Sequence, residues 1–432
     1  MEGPVFLRRK ITLPRACALL IAAMVGSGIF VAPKGVLRHS GSVGLSLVVW
    51  LACGLLSLLG ALCYAELGTR ITKSGGHYTY LLETLGPLPS FLFLWAEYFA
   101  IRPANSAVVC LTFGRYILEP FFAPCPTPVP AVKIAALLGF WHTENFQEAF
   151  GHSAQALDKL PLALYAGMFA YSGWCQTSFV REELVRPERT VPLSVTASVL
   201  TVIVGYMLTN LSYYTVLTAE EVLASEAVAV SFAQRACPGL SSLVPILVAL
   251  ACFGSMNGGI LGFSRTLFVA SREGQWPPLF AMIHIRRRTP LPAVLLMFPL
   301  VTAMVCVGDV YPLLTFFSFS RWLFIGLATL GLMLHRRRHP QLPRPFKVPL
   351  VVPAIFSILC FLTVGLSLYA DPVNISIGCA TVLSGFPIYY LVVRRPAPAR
   401  CPLPTRCPSV LYYLTVKLQQ LLEVVGQEIR TY

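Results

Sequence analysis

Two arginines sit where arginine is costly. Arg102 and Arg321 each lie near the middle of a long apolar run. A guanidinium at membrane depth is tolerated when it faces a cavity or a partner. Its planar fork matches a carboxylate bidentately. Two such forks at similar depth predict an anionic substrate side chain. Arg102 has a competing partner in Glu97, one and a half turns earlier, whereas Arg321 has no acid nearby in its own run. Arg265 is also deep and is expected to face a helix-end carbonyl.

Two further strings interrupt apolar runs: Gly26-Ser27-Gly28 and Tyr171-Ser172-Gly173-Trp174. Small residues let helices pack closely. A broken helix at the bilayer midplane offers something more. The second half-helix presents free N–H groups and a positive dipole end to a carboxylate, and unwound carbonyls accept from an ammonium group. With breaks in corresponding positions of two candidate repeats, the pair suits an α-amino-acid headgroup. Cofactor and metal chemistry is not expected: the seven His are scattered, and no metal cluster, catalytic triad or phosphate loop is present. Gly-Ser-Gly without a preceding strand is not a nucleotide fingerprint, so the chain does not read as an enzyme.

Of the 13 cysteines most lie in apolar runs, where thiols behave as small hydrophobes. Cys125, in a proline-rich loop predicted to face an oxidising compartment, is a candidate for a disulfide. Cys237 on the same side or another chain are both open as its partner. Cys401 and Cys407 sit in a Pro/Arg-rich tail and are weak candidates for palmitoylation.

These groups need a scaffold, and the composition names it. Of 432 residues 56% are hydrophobic and 12% charged, against about 25% charged in a soluble domain. Mean hydropathy is +0.69. Apolar runs of about 20 residues recur, longer than the alternating segments of a barrel. The prediction is an all-α, polytopic membrane protein. Its transmembrane domain covers residues 1–393, with ten spans at about 11–36, 43–67, 90–117, 160–180, 192–216, 240–270, 291–307, 311–334, 350–370 and 375–393. Residues 394–432 form a cytosolic tail, within which 411–425 has the periodicity of an amphipathic helix on the membrane surface.

The net charge of +14 reads as positive-inside topology rather than nucleic-acid binding, because the basic residues cluster in short loops. Arg286–Arg288 and Arg336–Arg338 are expected to be cytosolic anchors, the loop with Glu220, Glu221 and Glu226 falls outside, and both termini are cytosolic. No cleavable signal peptide is evident.

Several strings taken together resemble the light subunits of heteromeric amino-acid transporters, of the amino acid/polyamine/organocation superfamily. They are Gly26-Ser27-Gly28-Ile29-Phe30 with Pro33-Lys34-Gly35-Val36-Leu37, Tyr64-Ala65-Glu66-Leu67-Gly68 with Lys73-Ser74-Gly75-Gly76, Gly254-Ser255-Met256-Asn257-Gly258-Gly259, and Arg344-Pro345-Phe346-Lys347-Val348-Pro349. The strings Gly75–Tyr80, Phe113–Phe122 and Ser320–Gly326 resemble the cystine/glutamate-exchanging branch. The resemblance implies an inverted-repeat fold of the 5+5 type. It implies sodium-independent obligatory exchange of anionic or neutral amino acids by alternating access at the plasma membrane. It also implies a type II membrane glycoprotein heavy subunit joined through Cys125. By the same resemblance the backbone of Ser27, Gly28 and Ile29 would hold the substrate carboxylate, and carbonyls near Met24 and Phe169 its amino group; Gly26, Tyr171 and Ser172, in the breaks themselves, complete the candidate substrate-binding set. Arg102 and Arg321 then face an acidic side chain.

The chain departs from the family at two places. Cys175 stands beside the second break where the family has a bulky residue or Asn, which makes it a candidate selectivity position. Between the Cys125 loop and the acidic stretch the family has two full helices, and here only the stub 131–141 remains, a loss of roughly 40 residues. The missing part includes a helix whose lysine the family places near the first break. A second function therefore stands beside exchange: a shortened, transport-inactive light subunit that captures the heavy chain and acts as a regulatory or non-functional isoform.

Overall fold

The computed structural model describes residues 11–122, 160–225, 227–236, 243–285, 289–307, 310–394, 416–417 and 419–426. Cys125, Cys237, the stub 131–141, Arg286–Arg288, Cys401 and Cys407 lie outside them. The described chain is all-α apart from one two-stranded pairing, as predicted.

The first predicted span is a broken pair, α1 (Leu13–Met24) and α2 (Gly28–Ser40), bent by 43°. Gly41 at φ 72° ends α2, and the Ser42 hydroxyl caps α3 (Val43–Arg70) by accepting from Leu45 N–H. Then come α4 (His77–Leu85) and α5 (Pro87–Ala96), followed by a π-turn (Glu97–Ile101) and α6 (Arg102–Phe122). The second break separates α7 (Leu160–Ala170) from the four-residue α8 (Gln176–Phe179). After it come α9 (Pro187–Val216), the short α10 (Ala219–Ala224) and α11 (Val228–Ala236), and α12 (Val244–Arg272). The last helices are α13 (Leu291–Val307), α14 (Val310–Arg338), α15 (Val351–Ala370), α16 (Pro372–Leu383) and α17 (Gly385–Ile388). Among the described residues six helices are long and apolar enough to cross a membrane, seven if the bent pair is one span. The other predicted spans are helical but shorter or interrupted.

Packing follows the breaks. The second half of the first broken helix, α2, lies against α7, the first half of the second. The long α9 runs along both α1 and α3, and its Tyr206 reaches the ends of α1 and α7 at the two breaks. The helix Pro87–Phe122 reaches the same place from another side, and its π-turn has a sequence cause. Pro103 has no N–H to give to the carbonyl four residues earlier and its ring crowds it, so the chain widens by one residue there.

One end of the bundle is closed by charged residues. Arg181 donates to the carbonyls of Gly68, Thr69 and Thr72, capping the end of α3. Glu182 accepts from Ser74 N–H at 3.0 Å and from Arg272 at 2.9 Å. Glu183 accepts from Arg265 at 2.7 Å. Arg265 therefore faces a carboxylate, and Arg181 takes the helix-end carbonyls expected for it. Ile11 pairs with the strand-like segment at Leu184, through Ile11 N–H to Glu183 O and Val185 N–H to Ile11 O. Lys73 lies between Glu83 and Glu273; burial works against its charge, but the two carboxylates outweigh it and hold its pKa above the ordinary value.

Arg336 has a structural role. It donates from Nε to Glu66 at 2.7 Å and from Nη2 to the second carboxylate oxygen, and also to the carbonyl of Val348 at 2.8 Å. Val348 N–H donates to Glu66 at 3.0 Å. The carboxylate is completely buried, and this bidentate pairing with a backbone donor compensates it. The tail also differs from its predicted helix: residues 424–426 form a strand (β2) antiparallel to Met282–His284 (β1). Main-chain pairing with the loop after α12 takes the place of the last helical turn.

Candidate functional site

Both breaks open onto one cavity of about 40 Å³, room for a few waters. Its lining draws on both broken helices, on α6, on α12 and on α14. Of the predicted residues it gathers Met24, Gly26, Ser27, Gly28, Arg102, Phe169, Ser172, Cys175 and Arg321. Ile29 and Tyr171 are buried outside the lining. Tyr171 turns toward Trp50 and Tyr206, at ring separations of 6.0 and 4.9 Å.

The glycines explain how the breaks meet. A Cβ on Gly28 would overlap the backbone of Ala170, and one on Gly173 would overlap the backbone of Ala23 and Met24. A Cβ on Gly26 would overlap the side chain of Ser255 of α12. Close packing and an exposed backbone are thus the same feature, because only a residue without a side chain lets each break touch the helix end opposite and still open to a cavity.

The backbone polar groups divide cleanly. The N–H groups of Ser27, Gly28 and Ile29 have no acceptor among the described residues, as expected at the start of α2. On the acceptor side Met24 O is already occupied: Gly26 N–H donates to it at 2.8 Å and the Tyr206 hydroxyl at 2.6 Å. The Tyr206 hydroxyl also lies 3.1 Å from Ala170 O, so one side chain of α9 touches the ends of α1 and α7. Phe169 O accepts from Ser172 N–H at 3.1 Å. The carbonyl of Ala23, which also lines the cavity, accepts no hydrogen bond among the described residues.

The two arginines stand differently. Arg102 N–H donates to the Glu97 carbonyl across the π-turn, which stacks side chains five positions apart. Its Nε and Nη2 reach Glu97 Oε1 at 3.0 and 2.7 Å. The neighbouring acid has therefore claimed the Arg102 fork. Arg321 donates from Nη2 to Ser172 O at 2.6 Å and lies 3.9 Å from Cys175 Sγ. It makes no ion pair among the described residues. With Arg102 and Glu97 cancelling, the cavity carries one net positive charge, at Arg321.

The sequence did not single out Asn105 and Val109, which continue the Arg102 face of α6 one and two turns on, nor Gln176 and Phe179, and it offered Gly259 as part of a family string rather than as a site residue. The first two were accessible from helical spacing. Gln176 donates to Gly258 O and so ties α8 to α12, a contact no local pattern signals.

Comparison with known proteins adds an independent line. The sequence matches the amino acid permease family over residues 11–144 and 132–393. It is 46% identical to the human cystine/glutamate transporter over 472 aligned positions, covering 99% of this chain and 93% of the relative. It is 35% identical to the human b(0,+)-type amino acid transporter 1, covering 98% and 94%. With the mouse large neutral amino acids transporter small subunit 2 it shares 36% identity, covering 92% and 84%. An alignment of 472 positions against a chain of 432 leaves at least 40 positions opposite gaps. The two family matches overlap at 132–144, where the apolar stub lies.

Proposed function

The chain belongs to the amino acid permease family, and on that premise we propose that it is a sodium-independent exchanger of amino acids at the plasma membrane. It is a transporter rather than an enzyme. In this reading it works as the light subunit of a pair whose type II glycoprotein heavy subunit is held through Cys125, and it crosses the membrane about ten times with both termini cytosolic. The observation that carries the reading is the convergence of two helix breaks and Arg321 on one cavity. The free N–H groups of Ser27, Gly28 and Ile29 receive the α-carboxylate. Carbonyls at the helix ends beside the breaks, Ala23 and Phe169 among them, receive the ammonium group. The single uncompensated charge at Arg321 selects a substrate with one extra carboxylate, in the manner of glutamate or anionic cystine. Rocking of one bundle about the two breaks then exposes the site to each side in turn.

Reconstitution with heavy subunit tests this. Glutamate inside the liposome should stimulate cystine entry; a folded complex with no uptake above empty liposomes refutes it.

The shortfall of at least 40 positions supports a second reading, a transport-inactive light subunit that competes for the heavy chain. It requires a heavy-chain adduct on non-reducing gels that disappears in Cys125→Ser, together with absent uptake.

A further inference from the structure

At the charged end of the bundle, between the end of α14 and the start of α15, lies a second and larger cavity of about 500 Å³. Met333, Val348, Pro349 and Leu350 give it apolar walls, and Arg336, Arg337 and Lys347 give it charge. The three cations are not equivalent. Arg336 is spent on buried Glu66 and on the Val348 carbonyl. That clamp brings the residue after Arg336 and the residue before Val348 to the same opening. Those residues, Arg337 and Lys347, are exposed and make no ion pair among the described residues.

An apolar track leads away from the opening. Val351, Ile355, Ile358, Leu362 and Leu366 of α15 recur at four, three, four and four residues, and all are exposed, Ile358 at 65%. This spacing places them on one helix face. A pair of unneutralised cations at the foot of a lipid-facing stripe matches a phosphate head with an acyl chain above it. We propose that this cavity is a site for an anionic glycerophospholipid, its headgroup held between Arg337 and Lys347 and an acyl chain laid along the exposed face of α15. Charge decides the class: a zwitterionic headgroup leaves two cations facing one net-neutral group, whereas a phosphate with a further negative charge matches both.

The site is separate from the cavity at the helix breaks, and its test does not depend on transport. The full chain is bound to phosphatidylcholine nanodiscs with and without phosphatidylserine, and phosphatidylserine retained after mild delipidation is counted by native mass spectrometry. Arg337→Gln and Lys347→Gln should each weaken retention about fivefold, the effect of one interfacial charge. Arg337→Lys should keep most of it. All variants should melt as the parent does in pure phosphatidylcholine, because both side chains are exposed. An equal loss with Arg338→Gln, on the same helix end but outside the lining, overturns the proposal by showing general attraction to the leaflet. Complete competition by soluble glycerophosphoserine or inorganic phosphate overturns it too, since the acyl chain would then contribute nothing.

Discussion

The hydroxyl of Tyr206 lies 2.6 Å from the carbonyl oxygen of Met24, and so a side chain of an unbroken helix holds the last residue of α1 at the first break. The same oxygen is 3.1 Å from Ala170 O at the second. Tyr206→Phe keeps the edge-to-face packing on Trp50 and the contact with Tyr171. It removes only the donor shared by the two breaks. The expected cost is about 1–2 kcal/mol, including the buried carbonyls left short of a partner. Thermal unfolding of the purified variant should shift down by a few degrees, and amino-acid uptake should slow in parallel. A variant that matches the parent in both would show that the two breaks are not held through α9.

Arg321 and Arg102 should respond differently to substitution. Arg321→Ala removes the one uncompensated charge and should raise KM for glutamate or cystine about 10- to 100-fold, the effect of about 1.5–3 kcal/mol from a charged hydrogen bond. Uptake of neutral amino acids should change little. Arg102→Gln strands Glu97, whose side chain is 4% exposed, and should destabilise the whole protein by about 3–5 kcal/mol. Adding Glu97→Gln should restore folding. Uptake and thermal melts on the three variants decide whether substrate charge is read at Arg321 alone.

The breaks were legible because Gly-Ser-Gly and Ser-Gly interrupt runs that otherwise propagate as helix, and the arginines because charge is rare at that depth. The pairing of Arg102 was legible only as an alternative. Its i to i+5 geometry depends on a π-turn, and the cause of that turn, Pro103, acts on the backbone rather than on the charge pattern. Tyr206 was not legible. Nothing in the apolar stretch of α9 distinguishes a tyrosine that faces two helix ends from one that fills space, and the contact exists only after α1, α7 and α9 have packed. Glu66 is a similar case: its partners Arg336 and Val348 lie about 270 and 282 positions away, so its role is set by tertiary closure.

Glycine substitutions separate contact from conformational freedom. Gly28→Ala and Gly173→Ala each push a Cβ into backbone of the opposite break, where no rotamer change relieves the overlap. Each should cost about 3 kcal/mol or more, as severe overpacking does, and abolish uptake. Gly205→Ala is the matched control. It lies within α9 with nothing within 4 Å of the added Cβ, so it should stabilise the helix by about 0.5–1 kcal/mol. Thermal melts should place Gly205→Ala above the parent and both of the other variants well below it.

Glu182 joins three elements at the charged end of the bundle. Its carboxylate receives Ser74 N–H from the loop after α3 and Arg272 from the end of α12, and its own N–H donates to the Ser74 hydroxyl at 2.8 Å. The side chain is 1% exposed, so the attraction to Arg272 is little screened by solvent. Glu182→Gln keeps an acceptor for Ser74 but removes the charge that balances Arg272. The loss of about 2–4 kcal/mol falls on the contacts that close this end and leaves the cavity residues untouched. Amides of residues 72–76 and 181–185 should exchange with deuterium faster, while those of α9 keep the parent rate. If the loop amides stay protected, closure of this end rests on the Arg181 cap and the Arg265–Glu183 pair without Glu182.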